Sequence, residues 1–199
     1  MRLGAVILAA GGGTRLGGVA KALIRTPQGV TFLEHITTTA RLAGLETGVV
    51  VVGAPFGRDV ATHAHTLGLD VVVNPVPARG MASSVALGFA ALMGGAHAHC
   101  DAAWLWPVDH PNVTLATLAQ MIANLGLHDA ARPIVNGRGG HPPLVARSLW
   151  PALAACTDLP NGARDAFATG DVIEVGVDDA GCVRDVDTVG DLPRESWSS

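Results

Sequence analysis

One stretch decides the fold of this 199-residue chain: Val6-Ile7-Leu8-Ala9-Ala10-Gly11-Gly12-Gly13-Thr14-Arg15-Leu16-Gly17-Gly18-Val19-Ala20-Lys21. It begins as an apolar, β-branched run, which predicts a buried strand, and it then breaks into three glycines, which predict a tight loop at the strand's end. Such a loop brings backbone N–H groups close to a ligand, and Arg15 and Lys21 add two positive charges beside them. The stretch therefore indicates a binding site for an anion, and a polyphosphate suits it best.

The stretch matches neither of two common phosphate-loop patterns. GxxxxGK[ST] fails because Lys21 follows Ala20, and GxGxxG fails because Leu16 stands where the third glycine belongs. A glycine-rich turn at the edge of a sheet, with two solvated cations, is the alternative interpretation of the same residues.

Composition predicts a single domain over residues 1–199, built around a covered sheet. Hydrophobic residues make up 49% of the chain and charged residues 15%, whereas soluble domains usually carry about 25% charged residues. The formal charge of −4 gives no reason to expect a nucleic-acid or anionic-membrane partner. Any affinity for phosphate must therefore be local.

Cysteine usage and the N-terminus favour a cytoplasmic protein. Cys100, Cys156 and Cys182 are odd in number and widely spaced, which fits neither a zinc site nor a disulfide framework. The apolar run after Arg2 is too short for a signal peptide, and the long uncharged stretch from Met81 to Cys100 contains serines, glycines and histidines that suit a packed helix better than a membrane span.

Strands and helices alternate through the first 125 residues. We expect strands at Leu3–Ala9, Thr47–Gly53, Asp70–Asn74 and Ala102–Val108, and helices from the Thr31–Glu34 capping box to about Leu42 and at Arg58–Leu67, Ser83–Leu92 and Thr114–Leu125. This order predicts an α/β protein, a three-layer α/β/α sandwich with a mostly parallel, Rossmann-like twisted sheet and right-handed crossovers.

The second half is less regular. Pro133–Val135 and Leu144–Ala146 are expected to be short strands, and Ser148–Ala155 and Ala163–Ala168 short helices. The last two apolar segments, Val172–Val177 and Cys182–Val186, are expected to pair through an Asp178–Gly181 turn.

Asp109 is the acid that suggests chemistry most directly. It follows an apolar strand, and Pro111 ends that strand. A carboxylate at the carboxyl end of a buried strand suits Mg²⁺, which prefers one or two carboxylates together with phosphate oxygens. The alternative is a structural acid in the turn before the Thr114 helix, although Asp109 lies too far ahead of Thr114 to be its N-cap.

A second acidic cluster, Asp185-Val186-Asp187-Thr188, follows a predicted short strand. Alternation places Asp185 and Asp187 on one face, so either is a candidate second metal ligand. Equally, Asp187 or Thr188 is a candidate cap for a final helix.

The histidines divide into two groups. His63, His65, His97 and His99 form two i, i+2 pairs that do not share a helix face, and they are expected on the surface or in loops. His110, beside Asp109, and His141, in Gly139-Gly140-His141-Pro142, are candidates for substrate contact.

Taken together, these segments resemble the nucleotidyltransferases that attach CMP or GMP to molybdopterin, within the NTP-transferase superfamily and its nucleotide-diphospho-sugar transferase fold. The resemblance covers nearly the whole chain. It is carried by six segments in the family's order: Leu8–Lys21, Asn74-Pro75 with Gly80–Ser84, Asp109-His110-Pro111, Gly140-His141-Pro142, Gly162–Asp165 and Asp185–Thr188.

The resemblance implies a Mg²⁺-dependent transfer of a nucleoside monophosphate from CTP or GTP to a phosphorylated acceptor, with release of pyrophosphate. It implies a nucleotide-binding half at 1–125 and an acceptor-binding half at 126–199, and a transient contact with a molybdoenzyme or its chaperone. The implied nucleotide-binding residues are Leu8, Ala9, Ala10, Gly11, Gly12, Gly13, Arg15, Lys21, Asn74 and Ser84. The implied catalytic residues are Arg15, Lys21 and Asp109, and the metal ligands are Asp109 and Asp187.

Two departures leave the substrate open. Gly13 stands where the family has a serine. The Ala9-Ala10-Gly11 form resembles the cytidylyl branch, whereas the longer spacing to Lys21 resembles the guanylyl branch, and we favour CTP. A transferase for sugar phosphates or other small phosphates is the alternative enzyme, and a nucleotide-binding regulatory module without catalysis is the alternative of another class.

Overall fold

The computed structural model describes residues 1–11, 18–186 and 191. The strands are β1 (Leu3–Ala9), β2 (Leu45–Gly53), β3 (Asp70–Asn74), β4 (Ala102–Pro107), β5 (Ala130–Val135), β6 (Arg138–Gly139), β7 (Leu144–Ala146) and β8 (Val172–Gly176). The helices are α1 (Phe32–Leu42), α2 (Gly57–Thr66), α3 (Met81–Leu92), α4 (Leu115–Leu125), α5 (Trp150–Ala154) and α6 (Ala163–Phe167).

These strands form one mixed sheet in the order β3-β2-β1-β4-β7-β5-β6, with β8 also paired to β5. β1 pairs in parallel with both β2 and β4, and β3 pairs in parallel with β2. β7 runs antiparallel to β4 and to β5, and β8 runs parallel to β5. The predicted mostly parallel sheet is confirmed.

Every residue of the central strands β1 and β4 is buried. Because successive residues of a strand point to opposite sides, both faces of the sheet are covered there. Ile7, Val50 and Trp104 pack in one core with α1, α2 and α4. Val6 and Val51 pack in a second core with α3, α5 and α6. Helices therefore cover both faces of the sheet, as the predicted three-layer arrangement requires.

Local signals explain where two helices begin. The Thr31 hydroxyl accepts the Glu34 N–H, and Glu34 accepts the Thr31 N–H in return, so the predicted capping box starts α1. Thr114 caps α4 by accepting the Thr117 N–H. In α4, Leu118, Met121 and Leu125 lie in the core, whereas Leu115 is exposed.

The predicted hairpin after residue 172 is wrong. β8 adds in parallel to β5, from Ala130 opposite Val172 to Ile134 opposite Gly176. The residues after it form a 3₁₀ turn at Ala180–Cys182. An apolar segment of this length does not reveal its partner, and β5, with four of its six residues buried, offers a neighbour from Ala130 to Ile134.

His97, expected on the surface or in a loop, lies in the loop before β4 and is buried there. Its ring nitrogens lie 2.7 Å from Thr47 Oγ1 and 2.8 Å from Asp70 Oδ2. The side chain therefore joins β2 and β3 to the loop before β4, and its polar atoms have partners despite burial.

Two further features concern membrane spans and the state of the cysteines. In the described part of the chain, no helix is long and apolar enough to cross a membrane. Cys100, Cys156 and Cys182 are all buried and free.

Gly88 lets α3 lie directly against β1. A Cβ at this position would sit 2.2 Å from Val6 Cγ1 and 3.1 Å from Val51 Cγ2. We expect Gly88→Ala to lower the free energy of unfolding by about 1–3 kcal/mol, because overpacking outweighs the better helix propensity of alanine. Denaturant unfolding measures the change. Gly94→Ala is the control, since its nearest neighbour would lie 3.9 Å away, and an equal loss in both variants would contradict the packing argument.

Candidate active site

The strand order places β1 and β4 side by side at the topological switch point of the sheet. Strands β2 and β3 add on one side of β1, and β4 adds on the other. Ligands of such sheets bind outside the carboxyl ends of the strands at this point. The Val108 N–H donates to the Leu8 carbonyl at 3.1 Å, so the residues that follow both strands leave the sheet together.

Lys21 and Asp109 meet at this edge. The Lys21 ammonium lies 3.2 Å from Asp109 Oδ2, although the two residues are 88 positions apart in the chain. Their side chains are 18% and 26% exposed, respectively. Lys21 begins a 3₁₀ turn, Lys21–Leu23, which is anchored by the buried Ala20 and Ala22. The sequence prediction that a cation and an acid share this edge is confirmed for this pair.

A cavity of about 260 Å³ opens beside the pair. Its lining includes the predicted site residues Leu8, Ala9, Ala10, Gly11, Lys21, Ser84 and Asp109. It also includes a second group of residues that were not predicted as site residues, although Gly80 and Met81 belong to the Gly80–Ser84 segment: Pro77, Gly80, Met81, Pro107 and Val108. Apolar walls with a few polar groups are typical of small-molecule sites. Sequence reasoning could have found the second group from its position in the chain, because each of these residues lies within a few residues of a predicted site residue.

The amino end of α3 also faces this cavity. Gly80, with a φ of 92°, precedes the helix, and Met81 and Ser84 from its first turn line the cavity wall. The first backbone N–H groups of a helix lack partners within the helix and carry partial positive charge. This end of α3 therefore favours an anionic ligand, together with Lys21.

Asn74 is placed differently from the prediction. It is buried, and its side-chain amide donates to Ser83 Oγ at 2.8 Å and to Ser84 Oγ at 2.9 Å. Its Oδ1 accepts the Val76 N–H at 3.0 Å. Asn74 is not part of the cavity lining, and it orients Ser84 from behind the wall.

Four predicted site residues, Gly12, Gly13, Arg15 and Asp187, lie outside the described residues. Of the second acidic cluster, Asp185 is exposed. Val186 is buried, and its N–H donates to the Asp109 carbonyl at 2.8 Å.

A second cavity, of about 590 Å³, shares Leu8, Met81 and Pro107 with the first. Sequence reasoning missed it as a unit, although it had marked several of its residues within motifs. Its lining combines cationic, imidazole and glycine groups with apolar side chains. The first group is Arg132, Arg164, His141, Gly139 and Gly140, and the second includes Val85, Leu105, Phe167 and Val172.

The rings of His141 and His110 are in tilted contact, with their centroids 5.0 Å apart and their planes at 42°. Burial lowers the pKa of His141 to about 4, the neighbouring His110 acts in the same direction, and Asp109 acts against it. His141 is therefore neutral near pH 7 and lines the second cavity. His110 is buried behind it, outside both linings, and its Nδ1 donates to the Gly181 carbonyl at 3.2 Å.

Asp109 fits a divalent cation by its chemistry. The described residues include no group of three or more His, Cys, Asp or Glu side chains that could hold a metal ion by themselves. Magnesium beside a polyphosphate needs only one or two carboxylates, because the phosphate and water supply the other oxygens. A partly exposed carboxylate on the cavity wall meets that requirement.

Comparison with known proteins agrees with this geometry. The family described as the MobA-like NTP transferase domain matches residues 5–173. Rv0371c from Mycobacterium tuberculosis H37Rv is 26% identical, with a TM-score of 0.75 over 96% of this chain and 95% of that one. A complex of Rv0371c with manganese is 24% identical, with a TM-score of 0.70 over 96% of each chain.

A more distant structure has the same fold. Molybdopterin-guanine dinucleotide biosynthesis protein A from Archaeoglobus fulgidus is 15% identical, with a TM-score of 0.63 over 96% of this chain and 95% of that one. A search of curated protein sequences gives no significant match.

Removal of the Asn74 side chain tests its role behind the cavity wall. We expect Asn74→Ala to lower the free energy of unfolding by about 1–3 kcal/mol, because the Val76 N–H and the two serine hydroxyls lose a buried partner. Chemical denaturation provides the measurement. The exposed Asn124, whose amide donates to the Gln120 carbonyl, is the matched control, and Asn124→Ala should stay within about 0.5 kcal/mol of wild type.

Proposed function

Because the chain belongs to the family of MobA-like NTP transferase domains and is a nucleotidyltransferase, we propose that it transfers CMP from CTP, with GMP from GTP second, to the phosphate of molybdopterin. An acceptor phosphate oxygen forms a bond to the α-phosphorus, the bond from that phosphorus to the bridging oxygen breaks, and pyrophosphate leaves. The single observation that carries the proposal is the Lys21–Asp109 pair at the cavity between β1 and β4.

Lys21 and the backbone bind the triphosphate in this proposal. The ammonium offsets phosphate charge, and the backbone at Gly11 and the first turn of α3 offer N–H groups on the same wall. Ala9, Ala10 and Ser84 lie toward the base and ribose. By resemblance, Gly12, Gly13 and Arg15 complete the phosphate loop.

Asp109 would hold Mg²⁺ with one carboxylate oxygen, and Asp187 is proposed as the second ligand. When bound, Mg²⁺ neutralises charge that develops on the phosphate oxygens. The manganese complex of Rv0371c supports the use of a divalent cation. In-line displacement of this kind needs positioning and charge neutralisation from the protein, and no side-chain nucleophile.

The second cavity is proposed to bind the acceptor, since it shares three wall residues with the first. Arg132 and Arg164 supply positive charge for a phosphorylated ligand. Val85, Leu105, Phe167 and Val172 add apolar surface to the same cavity. A sugar phosphate has hydroxyl groups all round that need polar partners, whereas the large ring system of a pterin suits an apolar wall. The molybdopterin assignment rests on this contrast and on the family resemblance.

Two further parts of the proposal concern the cellular setting. A cytoplasmic location suits three buried free cysteines. A transient contact with a molybdoenzyme or its chaperone would follow, because the product must be handed to a protein that uses it.

The substrate assignment is tested by pyrophosphate release. Wild-type protein is incubated with Mg²⁺, each of the four NTPs in turn, and either molybdopterin or a panel of sugar phosphates. We expect release with CTP and molybdopterin, weaker release with GTP, and none without Mg²⁺. Release with a sugar phosphate and not with molybdopterin would favour the alternative transferase. A Mg²⁺-dependent thermal shift with an NTP, but no release with any acceptor, would favour the regulatory module.

Two variants separate the roles of the ion pair. We expect Asp109→Ala to lower kcat by about 100-fold or more while NTP binding partly survives, because the charge that would hold the metal is lost. We expect Lys21→Ala to weaken NTP binding by about 10- to 100-fold, the loss of one or two charge-assisted hydrogen bonds. Turnover assays and calorimetric titration with NTP give the two quantities.

Arg2→Ala is the control for these variants. Arg2 forms an ion pair with Asp101 at 3.3 Å, at the opposite end of β1 and β4. Its removal should leave kcat and NTP binding unchanged. Wild-type turnover in Asp109→Ala, or wild-type affinity in Lys21→Ala, would remove the residue concerned from the mechanism.

A further inference from the structure

Asp179 is a buried carboxylate with an unusual number of partners. It is 7% exposed. Its Oδ2 accepts the Thr114 N–H at 2.8 Å, the Thr114 hydroxyl at 2.9 Å and the Thr117 hydroxyl at 2.7 Å. Its Oδ1 accepts the Gly181 N–H at 2.9 Å. The carboxylate thus joins the start of α4 to the 3₁₀ turn Ala180–Cys182, more than 60 residues later in the chain.

The need to cap α4 does not by itself explain why the Asp179 carboxylate is buried between the helix and the turn. Thr114 already serves as the N-cap, since its hydroxyl accepts the Thr117 N–H at 3.3 Å. What Asp179 adds is a fixed distance between α4 and the turn. The turn also sits very close to the backbone before α4, because a Cβ at Gly181 would lie 2.2 Å from the Asn112 carbonyl oxygen. Only glycine fits there, which is a second, independent sign that the position of the turn is set closely.

The turn and the residues that follow it bond to His141, to Asp109 and to His110 beside Asp109. The Gly181 carbonyl accepts the His110 ring N–H at 3.2 Å, and the Cys182 carbonyl accepts the His141 backbone N–H at 2.8 Å. Beyond the turn, the Val186 N–H donates to the Asp109 carbonyl at 2.8 Å. Three hydrogen bonds therefore run from this segment to the loop that carries Asp109 and to the wall that carries His141.

We propose that Asp179 is a positioning residue that sets Asp109 and His141 relative to each other through the turn Ala180–Cys182. The inference rests on the proposed function, in which Asp109 faces the nucleotide and His141 the acceptor. Transfer needs both substrates held within a fraction of an ångström of the in-line geometry, and a misplacement of about 1 Å can cost about 100-fold in rate. One buried carboxylate thus aligns the two substrate sites.

Asp179→Asn tests this with little change in volume. An amide has one acceptor oxygen, so either the Gly181 N–H or the Thr114 N–H loses its acceptor, whichever way the amide turns. We expect kcat for pyrophosphate release to fall by about 10- to 100-fold, as for other groups that orient metal ligands. We also expect the Kd for Mn²⁺ in the presence of CTP to rise by about tenfold, measured from the EPR signal of free Mn²⁺ without acceptor.

Two controls separate positioning from stability. Asp178→Asn makes the same chemical change at the exposed neighbour and should match wild type in every measurement. Thr117→Val removes one hydrogen bond to Asp179 from the helix side and leaves the Gly181 bond in place. It should lower Tm while kcat and the Mn²⁺ Kd, measured well below Tm, stay at wild-type values.

The outcomes are distinct. If Asp179→Asn lowers Tm but keeps the wild-type kcat and Mn²⁺ Kd, the carboxylate is structural only and the inference is wrong. If Asp179→Asn does not fold, Gly181→Ala carries the test, because it displaces the turn while keeping the carboxylate, and it should show the same kinetic pattern. If wild-type protein neither binds Mn²⁺ with CTP nor releases pyrophosphate, the proposed function fails, and the inference fails with it.

Discussion

The pairing of β1 with β4 is the constraint on which the site depends. The two strands pair in parallel from Leu3 opposite Ala102 to Leu8 opposite Pro107, and both faces of each strand are buried. A slip of one residue would move every apolar side chain to the opposite core, so the register is strongly specified. Since the register is fixed, the residues after the two strands must leave the sheet side by side. The meeting of Lys21 with Asp109 is a consequence of that packing.

The Lys21–Asp109 pair contributes little to folding by itself. Burying two charges costs about as much as their attraction returns, and a partly exposed pair is worth less still. The pair matters to the site because each side chain is held in position by the opposite charge of the other. When a phosphate approaches Lys21 and a cation approaches Asp109, each side chain exchanges one charged partner for another, with little rearrangement of the wall that carries it.

Local patterns in the sequence predicted the first half of the molecule well. β1 and β3 begin and end at the predicted residues, and the Thr31–Glu34 capping box starts α1 as expected. The same patterns assigned Lys21 and Asp109 to the segments after two strands, and the carboxyl ends of parallel strands share an edge. Both residues line one cavity with Ser84, which the family resemblance had indicated. What they missed depends on distant contacts. The partner of β8, the burial of His97 and the three hydrogen bonds from Thr114 and Thr117 to Asp179 all join segments that are far apart in sequence. No spacing rule reports such contacts.

The second half of the chain contributes to the site because its strands continue the sheet and its residues 181–186 contact the loop that carries Asp109. One continuous sheet runs through both halves, with β7 joining β4 to β5. Because β8 lies parallel to β5, the chain that leaves β8 emerges at the same carboxyl edge as β1 and β4. The turn Ala180–Cys182 then lies against Asn112 and His110, beside the residues that would bind the nucleotide. A hairpin after β8, as the sequence pattern suggested, would have returned Cys182–Val186 along β8 and away from that edge. In the structure Cys182 and Val186 stay at the edge, and their backbone groups bond to His141 and Asp109.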